Sequence, residues 1–357
     1  MHGTRCFILG AGFSRCCGLP LACELTPVVW RAMARRDPTD RSPNAPLSGP
    51  GDFAHPALET DFKAIRLLFP GYVCDPDRGD TWPDFEELIT ALDEASGYQQ
   101  SFERITGTEV HNWAAHPKHW LMHHLQERLS ELTDAAAEGG LKPIMQFIQA
   151  LDLLTDSVIS FNWDVLVEIA AEQLGVPVHY RDDQGAGLRL AKPHGSLNLV
   201  DSPRDKYEET RERAVNVFGL DEELEYDDGG RKHVVLRAQD PRHAWIRQAW
   251  APREFVLLVE PNIRKAYDRR WLELQWVRAL DMVRHADEII VIGFSLPPAD
   301  LRPRILLQLA PVNRRPSPKL VLVDPKADAL AERYRHLVGL DPEPCTETLE
   351  TWVAHGR

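Results

Sequence analysis

Three short polar runs carry residue types that could take part in catalysis. The run Gly10-Ala11-Gly12-Phe13-Ser14 lies between an apolar segment and a helical pattern. Its glycines permit a tight turn, in which backbone amides and the Ser14 hydroxyl could hold a pyrophosphate. The second run contains Asn162 and Asp164, and the third contains His194. An amide, a carboxylate and an imidazole could together orient a hydroxyl or a water molecule and take its proton.

Each run also has an ordinary structural explanation. Arg15 stands where the third glycine of the dinucleotide pattern G-x-G-x-x-G would be, and no acid suited to a ribose follows about 20 residues later. The glycine run could therefore be a tight turn without a ligand. Asn162 and Asp164 could cap a helix, a position that both residue types favour. His194 could be a packed or a surface histidine.

The polar runs follow short apolar segments that predict buried strands. These segments are Cys6–Leu9, Ser157–Phe161, Gly187–Ala191, Phe255–Val259, Glu288–Ile292 and Leu320–Val323. Helical periodicity follows the last three of them, over Ala266–His285, Leu301–Leu309 and Ala327–Val338. Alternation of strand and helix predicts an α/β fold with a Rossmann-like, doubly wound parallel sheet. Such a sheet would collect the polar runs at the carboxyl ends of its strands.

Two segments interrupt this alternation. Residues 37–150 combine a loop rich in Pro, Asp, Ser and Gly with helical stretches, which predicts a helical insertion domain. The stretches are Ala57–Phe69, Phe85–Glu94, Trp113–Leu132 and Leu141–Leu154. Residues 201–250 are charged and predict a surface insertion. The core is predicted over residues 1–36 and 151–340, followed by a C-terminal tail over residues 341–357.

Composition limits the classes of partner. The 357 residues include 41 Lys+Arg and 54 Asp+Glu, and the net charge of −13 argues against direct binding to nucleic acid. No segment reaches the roughly 18 uncharged apolar residues that a membrane span needs, and the first apolar run is too short for a signal peptide. The sequence therefore predicts a soluble protein of the reducing cytoplasm.

The cysteines predict no structural zinc. They are Cys6, Cys16, Cys17, Cys23, Cys74 and Cys345, and no two have the C-x-x-C spacing of a zinc ribbon. One metal-site alternative stays open, because His119, His123 and Glu127 would share a helical face. Metalloprotease spacing would require glutamate at position 120, where the chain has Trp120.

The motifs and their order resemble those of the sirtuin, or SIR2, superfamily. The family's NAD loop reads G-A-G-x-S followed by Gly-Ile-Pro, and here Gly10–Ser14 is followed by Gly18-Leu19-Pro20. The segment Ser160–Asp164 resembles the sirtuin motif Thr-Gln-Asn-Ile-Asp and, more closely, the Asn-x-Asp of SIR2-like defence NADases. Lys192–Ser196 resembles the His-Gly motif, whose histidine is the catalytic base. Leu21-Ala22-Cys23 departs from the family, since sirtuin deacylases have Asp-Phe-Arg there.

Two later segments extend the resemblance. Gly293-Phe294-Ser295-Leu296 is similar to the Gly-Thr-Ser-Leu segment with which sirtuins hold the cofactor ribose. Asp324 follows the next strand, where the family contacts the adenosine half. Asp84–Leu88 is similar to a segment common in SIR2-like proteins, and no catalytic role is carried over from it.

The resemblance implies that NAD is the substrate of the predicted core. Asn162, His194 and Asp164 are the expected catalytic residues. Gly10, Ala11, Gly12, Phe13, Ser14, Gly293, Ser295 and Asp324 are the expected NAD-binding residues. Sirtuin deacylases carry a four-cysteine zinc module that this sequence lacks, so water is the expected acceptor of the ADP-ribosyl group. The expected reaction is hydrolysis of NAD+ to ADP-ribose and nicotinamide, as in bacterial antiphage defence.

Other functions and partners stay open at this stage. A protein deacylase or ADP-ribosyltransferase is one alternative, and a module that senses NAD or ADP-ribose without turnover is another. A toxic NADase needs control, which leads us to expect a homo-oligomer and, by resemblance, a HerA-type ATPase partner.

Overall fold

The structure is a computed structural model. It describes residues 3–27, 68–69, 83–97, 140–180, 186–203, 226–227, 231–235, 256–258, 270–297 and 300–356. The predicted helix Trp113–Leu132 and almost all of Ala57–Phe69 lie outside these residues, as do His119, His123 and Glu127.

The described strands alternate with helices over much of the chain, as the sequence predicts for an α/β protein, whereas β5 to β8 follow one another without a described helix between them. The strands are β1 (Arg5–Leu9), β2 (Ser157–Ser160), β3 (Val178–His179), β4 (Leu188–Ala191), β5 (Gly195–Pro203), β6 (Tyr226–Asp227), β7 (Arg231–Val235), β8 (Val256–Leu258), β9 (Glu288–Ile292), β10 (Lys319–Val323) and β11 (Pro342–Cys345). The helices are α1 (Ala11–Ser14), α2 (Phe85–Gly97), α3 (Lys142–Gln149), α4 (Leu166–Gln173), α5 (Arg270–His285), α6 (Leu301–Leu309), α7 (Ala327–Val338) and α8 (Leu349–Ala354).

Seven of these strands form one parallel sheet, in the order β11-β10-β9-β1-β2-β4-β3. The central strand β1 is buried on both faces, as its apolar sequence predicts. Successive side chains of a strand point to opposite faces. Phe7 and Leu9 accordingly join a core cluster with α3, α4 and α8, whereas Cys6 and Ile8 join a second cluster with α5, α6 and α7. Helices thus cover both faces, which confirms the predicted Rossmann-like, doubly wound parallel sheet.

The winding of the chain reverses beside β1. The strands β2, β4 and β3 lie in that spatial order on one side of β1, and the strands β9, β10 and β11, which come later in the chain, lie on the other. The carboxyl ends of β1 and β9 therefore flank the point at which the direction of winding changes, which is the switch point of the sheet. In open α/β sheets, ligands bind in the crevice at this point.

A smaller antiparallel sheet has the order β6-β7-β5-β8. The predicted strand Phe255–Val259 is observed as β8, which pairs with β5 and not with the parallel sheet. Parts of residues 201–250, predicted as a surface insertion, supply β6, β7 and the end of β5. A short apolar run indicates a strand but does not specify which sheet it joins, because pairing is set by distant segments.

The core extends beyond the predicted boundaries at residues 150 and 341. Helix α3 lies within the predicted insertion, yet the Phe147 ring contacts those of Phe7 and Phe13 edge-on, at 5.3 and 5.2 Å between centroids. The structure also corrects the predicted tail, because β11 pairs with β10 and α8 covers one face of the sheet. Pro342 and Pro344 concealed this strand in the sequence, and an edge strand is where proline is tolerated.

Trp352 provides a test of whether α8 belongs to the core. Its side chain is 4% exposed and packs edge-on against Phe7, 6.3 Å away between centroids. Trp352→Ala should lower the free energy of unfolding by about 3–5 kcal/mol, since it removes a large buried side chain. Urea unfolding measures this change. Glu350→Ala, an exposed position of the same helix, should cost less than about 1 kcal/mol. Equal losses for the two variants would mean that α8 does not belong to the core.

Candidate active site

The turn after β1 is joined to the turn after β9 by backbone hydrogen bonds. The Gly10 amide donates to the Ile292 carbonyl at 3.1 Å, and the Gly12 amide donates to the Gly293 carbonyl at 2.9 Å. Gly293 has a φ of 62°, and a Cβ on it would lie 2.3 Å from the Phe13 nitrogen. A Cβ on Gly10 would lie 2.6 Å from the Phe294 Cα. Glycine is therefore required on both sides of this contact.

The same contact changes the role expected for the loop amides. The Gly10 and Gly12 amides donate across the contact, and the Phe13 amide donates to the Gly10 carbonyl at 2.9 Å. These three amides already have partners within the protein, so fewer of them face a ligand than the sequence suggested. The glycines serve first to bring two strand ends together.

Ser14, Asn162 and Asp164 form a hydrogen-bonded chain beside this contact. Asn162 Nδ2 donates to the Gly10 carbonyl and to Ser14 Oγ, both at 2.9 Å. Ser14 Oγ donates in turn to Asp164 Oδ2 at 2.7 Å. The second carboxylate oxygen, Asp164 Oδ1, accepts from the Leu166 amide at 3.1 Å. The turns after β1 and β2 are thereby tied together at the switch point.

This chain fixes the orientation of the Asn162 amide. A backbone carbonyl can only accept, so the group that faces Gly10 must be the side-chain nitrogen. Both Nδ2 hydrogens are then in use, and Oδ1 is what Asn162 offers to a ligand. The sequence suggested that Asn162 could donate and accept toward a ligand at once, and the geometry narrows this to accepting.

Asp164 and Ser14 act within the protein and not toward solvent. Asp164 is 7% exposed and Ser14 is 2% exposed. The carboxylate accepts the Ser14 hydroxyl and, at its other oxygen, the amide of Leu166, the first residue of α4. The N-cap residue of α4 is Val165, without a side-chain cap hydrogen bond, so Asp164 is not the cap that the sequence offered as an alternative. Asp164 therefore positions Ser14 and Asn162, and the Ser14 hydrogen expected for a phosphate is committed to Asp164.

His194 lies at the junction of the two sheets, between β4 and β5. Its side chain is 5% exposed, and its ring centroid is 4.9 Å from that of Phe161 and 5.9 Å from that of Trp276. The Phe161 ring is also 4.9 Å from that of Phe294. Since Phe161 precedes Asn162, aromatic packing brings together the ends of β2, β4 and β9. His194 is thus a packed histidine at the expected edge of the sheet.

Lys192 is a site residue that the sequence analysis missed. Its side chain is 1% exposed, and its ammonium donates to the Asp164 carbonyl and lies 3.3 Å from Glu168 Oε1. The signal was present in the sequence, because a lysine directly after the apolar strand Leu188–Ala191 continues a buried segment. Buried lysines need partners, and these come from residues 28 and 24 positions away in the chain.

Ser295 and Asp324 lie near the switch point, outside the hydrogen-bonded chain of Ser14, Asn162 and Asp164. Ser295 is exposed, and its carbonyl accepts from Arg333 at 2.9 Å. Asp324 Oδ1 accepts from the Lys326 amide at 2.7 Å, which closes a local turn. The Gly293 amide donates to the Val323 carbonyl at 3.0 Å, so Asp324 follows a strand end beside Gly293. The backbone therefore carries both residues to the candidate site's edge of the sheet.

The described residues contain no group of three or more His, Cys, Asp or Glu side chains that could hold a metal ion. Among these same residues, no helix has the length and apolar character that a membrane crossing requires. Cys6 lies near the amino end of β1, away from the candidate site, and burial raises the pKa of its thiol to about 12. A thiol with so high a pKa is not a nucleophile at neutral pH.

Gly293 and Gly339 form a matched pair for testing the backbone contact. Both have positive φ, at 62° and 78°, but a Cβ on Gly339 would meet nothing within 4 Å. Gly339→Ala should cost only the backbone strain of about 1 kcal/mol. Gly293→Ala should cost at least about 1–3 kcal/mol more, since the turns after β1 and β9 must also separate. Urea unfolding of both variants measures this, and equal costs would show that the close approach is unimportant.

Comparisons with known proteins give a match only at the level of structure. No protein-family model and no curated protein matches the chain. Among solved structures, it is similar to Sir2 with a p53 peptide and NAD+, at 13% identity and a TM-score of 0.33, covering 99% of this chain and 91% of that chain. It is also similar to a Sir2 homologue mutant with ADP-ribose, at 12% identity and a TM-score of 0.36, covering 99% and 89%. Likenesses this weak decide neither fold nor activity, so the fold assignment rests on the strand order and the two covered faces.

Proposed function

We propose that this chain is a SIR2-like enzyme that hydrolyses NAD+ to ADP-ribose and nicotinamide. The observation that carries the proposal is the Asn162 amide, whose nitrogen is held by Gly10 and Ser14 and whose Oδ1 remains to accept. It lies at the switch point of a doubly wound sheet, at the same strand edge as His194. The order of the sirtuin-like motifs along the chain supports the choice of NAD.

Cleavage of the bond between nicotinamide and ribose requires few protein groups, and these residues could supply them. Nicotinamide leaves as a neutral group from a pyridinium cation, so no general acid is needed. The ribose passes through an oxocarbenium-like state, as in other glycosyl transfers. The protein must therefore orient the ribose, exclude bulk water and supply a base.

In the proposed mechanism, His194 is the base, because imidazole titrates near neutral pH. Asn162 Oδ1 accepts a hydrogen bond from a ribose hydroxyl or from the attacking water. The rings of Phe161 and Trp276 beside His194 limit access of bulk water to the imidazole. Asp164 acts indirectly, by holding Ser14 and the start of α4.

The same proposal assigns the dinucleotide to the contact between the turns after β1 and β9. Gly10, Ala11, Gly12, Phe13 and Ser14 would lie against the pyrophosphate, which needs the small residues for close approach. Gly293 and Ser295 would contact the ribose, and Asp324 the adenosine half. The exposed Ser295 side chain is compatible with contact to a ligand.

Two other functions would use the same site differently. A deacylase or ADP-ribosyltransferase would transfer the ADP-ribosyl group to a protein, whereas a sensor would bind NAD or ADP-ribose without turnover. A sensor needs only the phosphate and adenosine contacts, so a fixed acceptor at Asn162 at the same edge of the sheet as a packed His194 favours an enzyme. The antiphage role, the homo-oligomer, the HerA-type partner and the cytoplasmic location remain predictions.

Replacement of the two proposed catalytic side chains tests the mechanism. His194→Ala and Asn162→Ala should each lower the rate of nicotinamide release at least about 10²-fold, because both groups act in the transition state. His336→Ala is the matched control, since His336 is exposed on α7, and it should leave the rate unchanged. Rates are compared under the condition in which the wild type is active, after thermal unfolding shows that each variant is folded.

Two outcomes would contradict this mechanism. Near-normal rates in folded His194→Ala and Asn162→Ala would remove both residues from catalysis. Binding of NAD+ by a wild type that releases no nicotinamide under any condition would favour the sensor.

The identity of the acceptor is tested with labelled water. Hydrolysis in ¹⁸O-water should place one ¹⁸O atom in each ADP-ribose, because water attacks the ribose carbon that loses nicotinamide. Mass spectrometry of the product measures the label. An acetyl-lysine peptide should neither accelerate nicotinamide release nor yield an acylated ADP-ribose. Nicotinamide release that depends on the peptide would instead identify a deacylase.

A further inference from the structure

A buried lysine ties together the two turns that carry the proposed catalytic residues. Lys192 follows β4, two residues before His194, and its side chain is 1% exposed. Its ammonium donates to the backbone carbonyl of Asp164, in the turn after β2. It also forms an ion pair with Glu168 Oε1, at 3.3 Å, on the first turn of α4.

The lysine bond is reinforced by two neighbouring bonds between the same turns. Ser196 Oγ donates to the Trp163 carbonyl at 3.3 Å, and the Leu197 amide donates to the same carbonyl at 2.9 Å. The segment that contains His194 thus holds the carbonyls of both residues that follow Asn162. Of the three donors, only Lys192 carries a charge, and hydrogen bonds to charged groups are the stronger ones.

The partners of Lys192 are themselves held. Tyr180 donates its hydroxyl to Glu168 Oε1 at 2.8 Å. Gln275 Oε1 accepts from the Lys192 amide at 3.1 Å, while Gln275 Nε2 donates to the Tyr180 carbonyl at 3.3 Å. Glu168 of α4 and the Asp164 carbonyl thus hold the ammonium of Lys192, while Gln275 of α5 holds the backbone amide of the same residue.

We infer that Lys192 is a positioning residue, which fixes the distance between His194 and Asn162 by holding the Asp164 carbonyl. The expected effect of Lys192 on the reaction rate rests on the proposed function. The restraint that Lys192 places on the two turns does not depend on that function. Displacement of a reacting group by about 1 Å can lower a rate about 10²-fold. A lysine that positions these turns should therefore influence kcat far more than the binding of NAD, which uses the turns after β1 and β9.

A structural role alone would give a different result, and paired variants separate the two. Lys192→Met removes the charge and leaves Glu168 buried without its cation, which is strongly destabilising. The double variant Lys192→Met/Glu168→Gln removes both charges and should recover most of the lost Tm. Glu168→Gln alone keeps an acceptor for Tyr180 and keeps the lysine bond to the Asp164 carbonyl. It leaves the buried ammonium without its anion, so it should also lower the Tm.

The expected rates follow from which variant keeps that bond. The folded double variant should lose about 10- to 100-fold in kcat with little change in KM. Glu168→Gln should stay within about threefold of the wild type, since its lysine still holds the Asp164 carbonyl. A double variant that recovers both its Tm and its kcat would overturn the inference.

Hydrogen exchange supplies a readout that does not depend on turnover. In the double variant, exchange should accelerate at the Leu166 amide, which donates within the turn after β2, and at the Leu197 amide, which donates across to that turn. Peptides from β9 and β10 should keep wild-type protection. Unchanged exchange in both turns, or acceleration spread evenly over the described chain, would overturn the inference.

The remaining outcomes also decide the matter. A wild type that releases no nicotinamide under any condition would end the proposed function, and the exchange measurement would still test whether Lys192 fixes the turns. If both Lys192 variants are insoluble while Glu168→Gln is soluble and fully active, Lys192 is a folding residue and the inference fails.

Discussion

The backbone contact between the turn after β1 and the turn after β9 is the constraint on which the candidate site depends. The Gly12 amide and the Gly293 carbonyl are 2.9 Å apart. A Cβ on Gly12 would lie 2.7 Å from the Gly293 Cα, and one on Gly293 would lie 2.3 Å from the Phe13 nitrogen, so both positions require glycine. This contact fixes the Gly10 carbonyl at the switch point of the sheet. That carbonyl orients the Asn162 amide, since a carbonyl can only face a donor. The backbone contact between the two turns thus decides that the Asn162 nitrogen faces Gly10 and that Oδ1 is the atom left for a ligand.

From this contact, polar groups are linked outward across the strand ends. Asn162 donates to Ser14, Ser14 donates to Asp164, and the Asp164 carbonyl accepts from Lys192. Hydrogen bonds in a poorly solvated interior strengthen one another, and an unpaired member there is costly. Most donors and acceptors of this linked set are consequently used within the protein, and Asn162 Oδ1 is the acceptor of the set that would remain for a ligand.

The sequence predicted strands and helices correctly where they depend on residues that are close together in the chain. Strands and helices such as Glu288–Ile292, Leu301–Leu309 and Ala327–Val338 were predicted with the observed bounds, because apolar periodicity is set by near neighbours. Strand β11 was missed because its prolines argue against a strand except at a sheet edge. The placement of β8 in a second sheet was missed because strand pairing is decided by residues far apart in the chain.

The sequence predicted which residues would lie at the candidate site, but it did not predict which atoms they hydrogen-bond to. Spacing and resemblance brought Gly10, Ser14, Asn162 and Asp164 into one hypothesis, and the structure does connect them. Which hydrogen faces which acceptor depends on pairs about 150 positions apart, as between Ser14 and Asp164. For that reason the commitment of the Ser14 hydroxyl, the orientation of Asn162 and the part played by Lys192 emerge only from the fold.

The most direct test of the central claim is a crystal structure of the His194→Ala variant with NAD+. The account predicts the pyrophosphate against Gly10–Ser14 and Gly293, with a hydroxyl of the nicotinamide ribose donating to Asn162 Oδ1. The Asn162 nitrogen should remain on the Gly10 carbonyl. An NAD+ molecule bound away from the β1–β9 edge, or an Asn162 amide turned so that its nitrogen faces the ribose, would contradict the account.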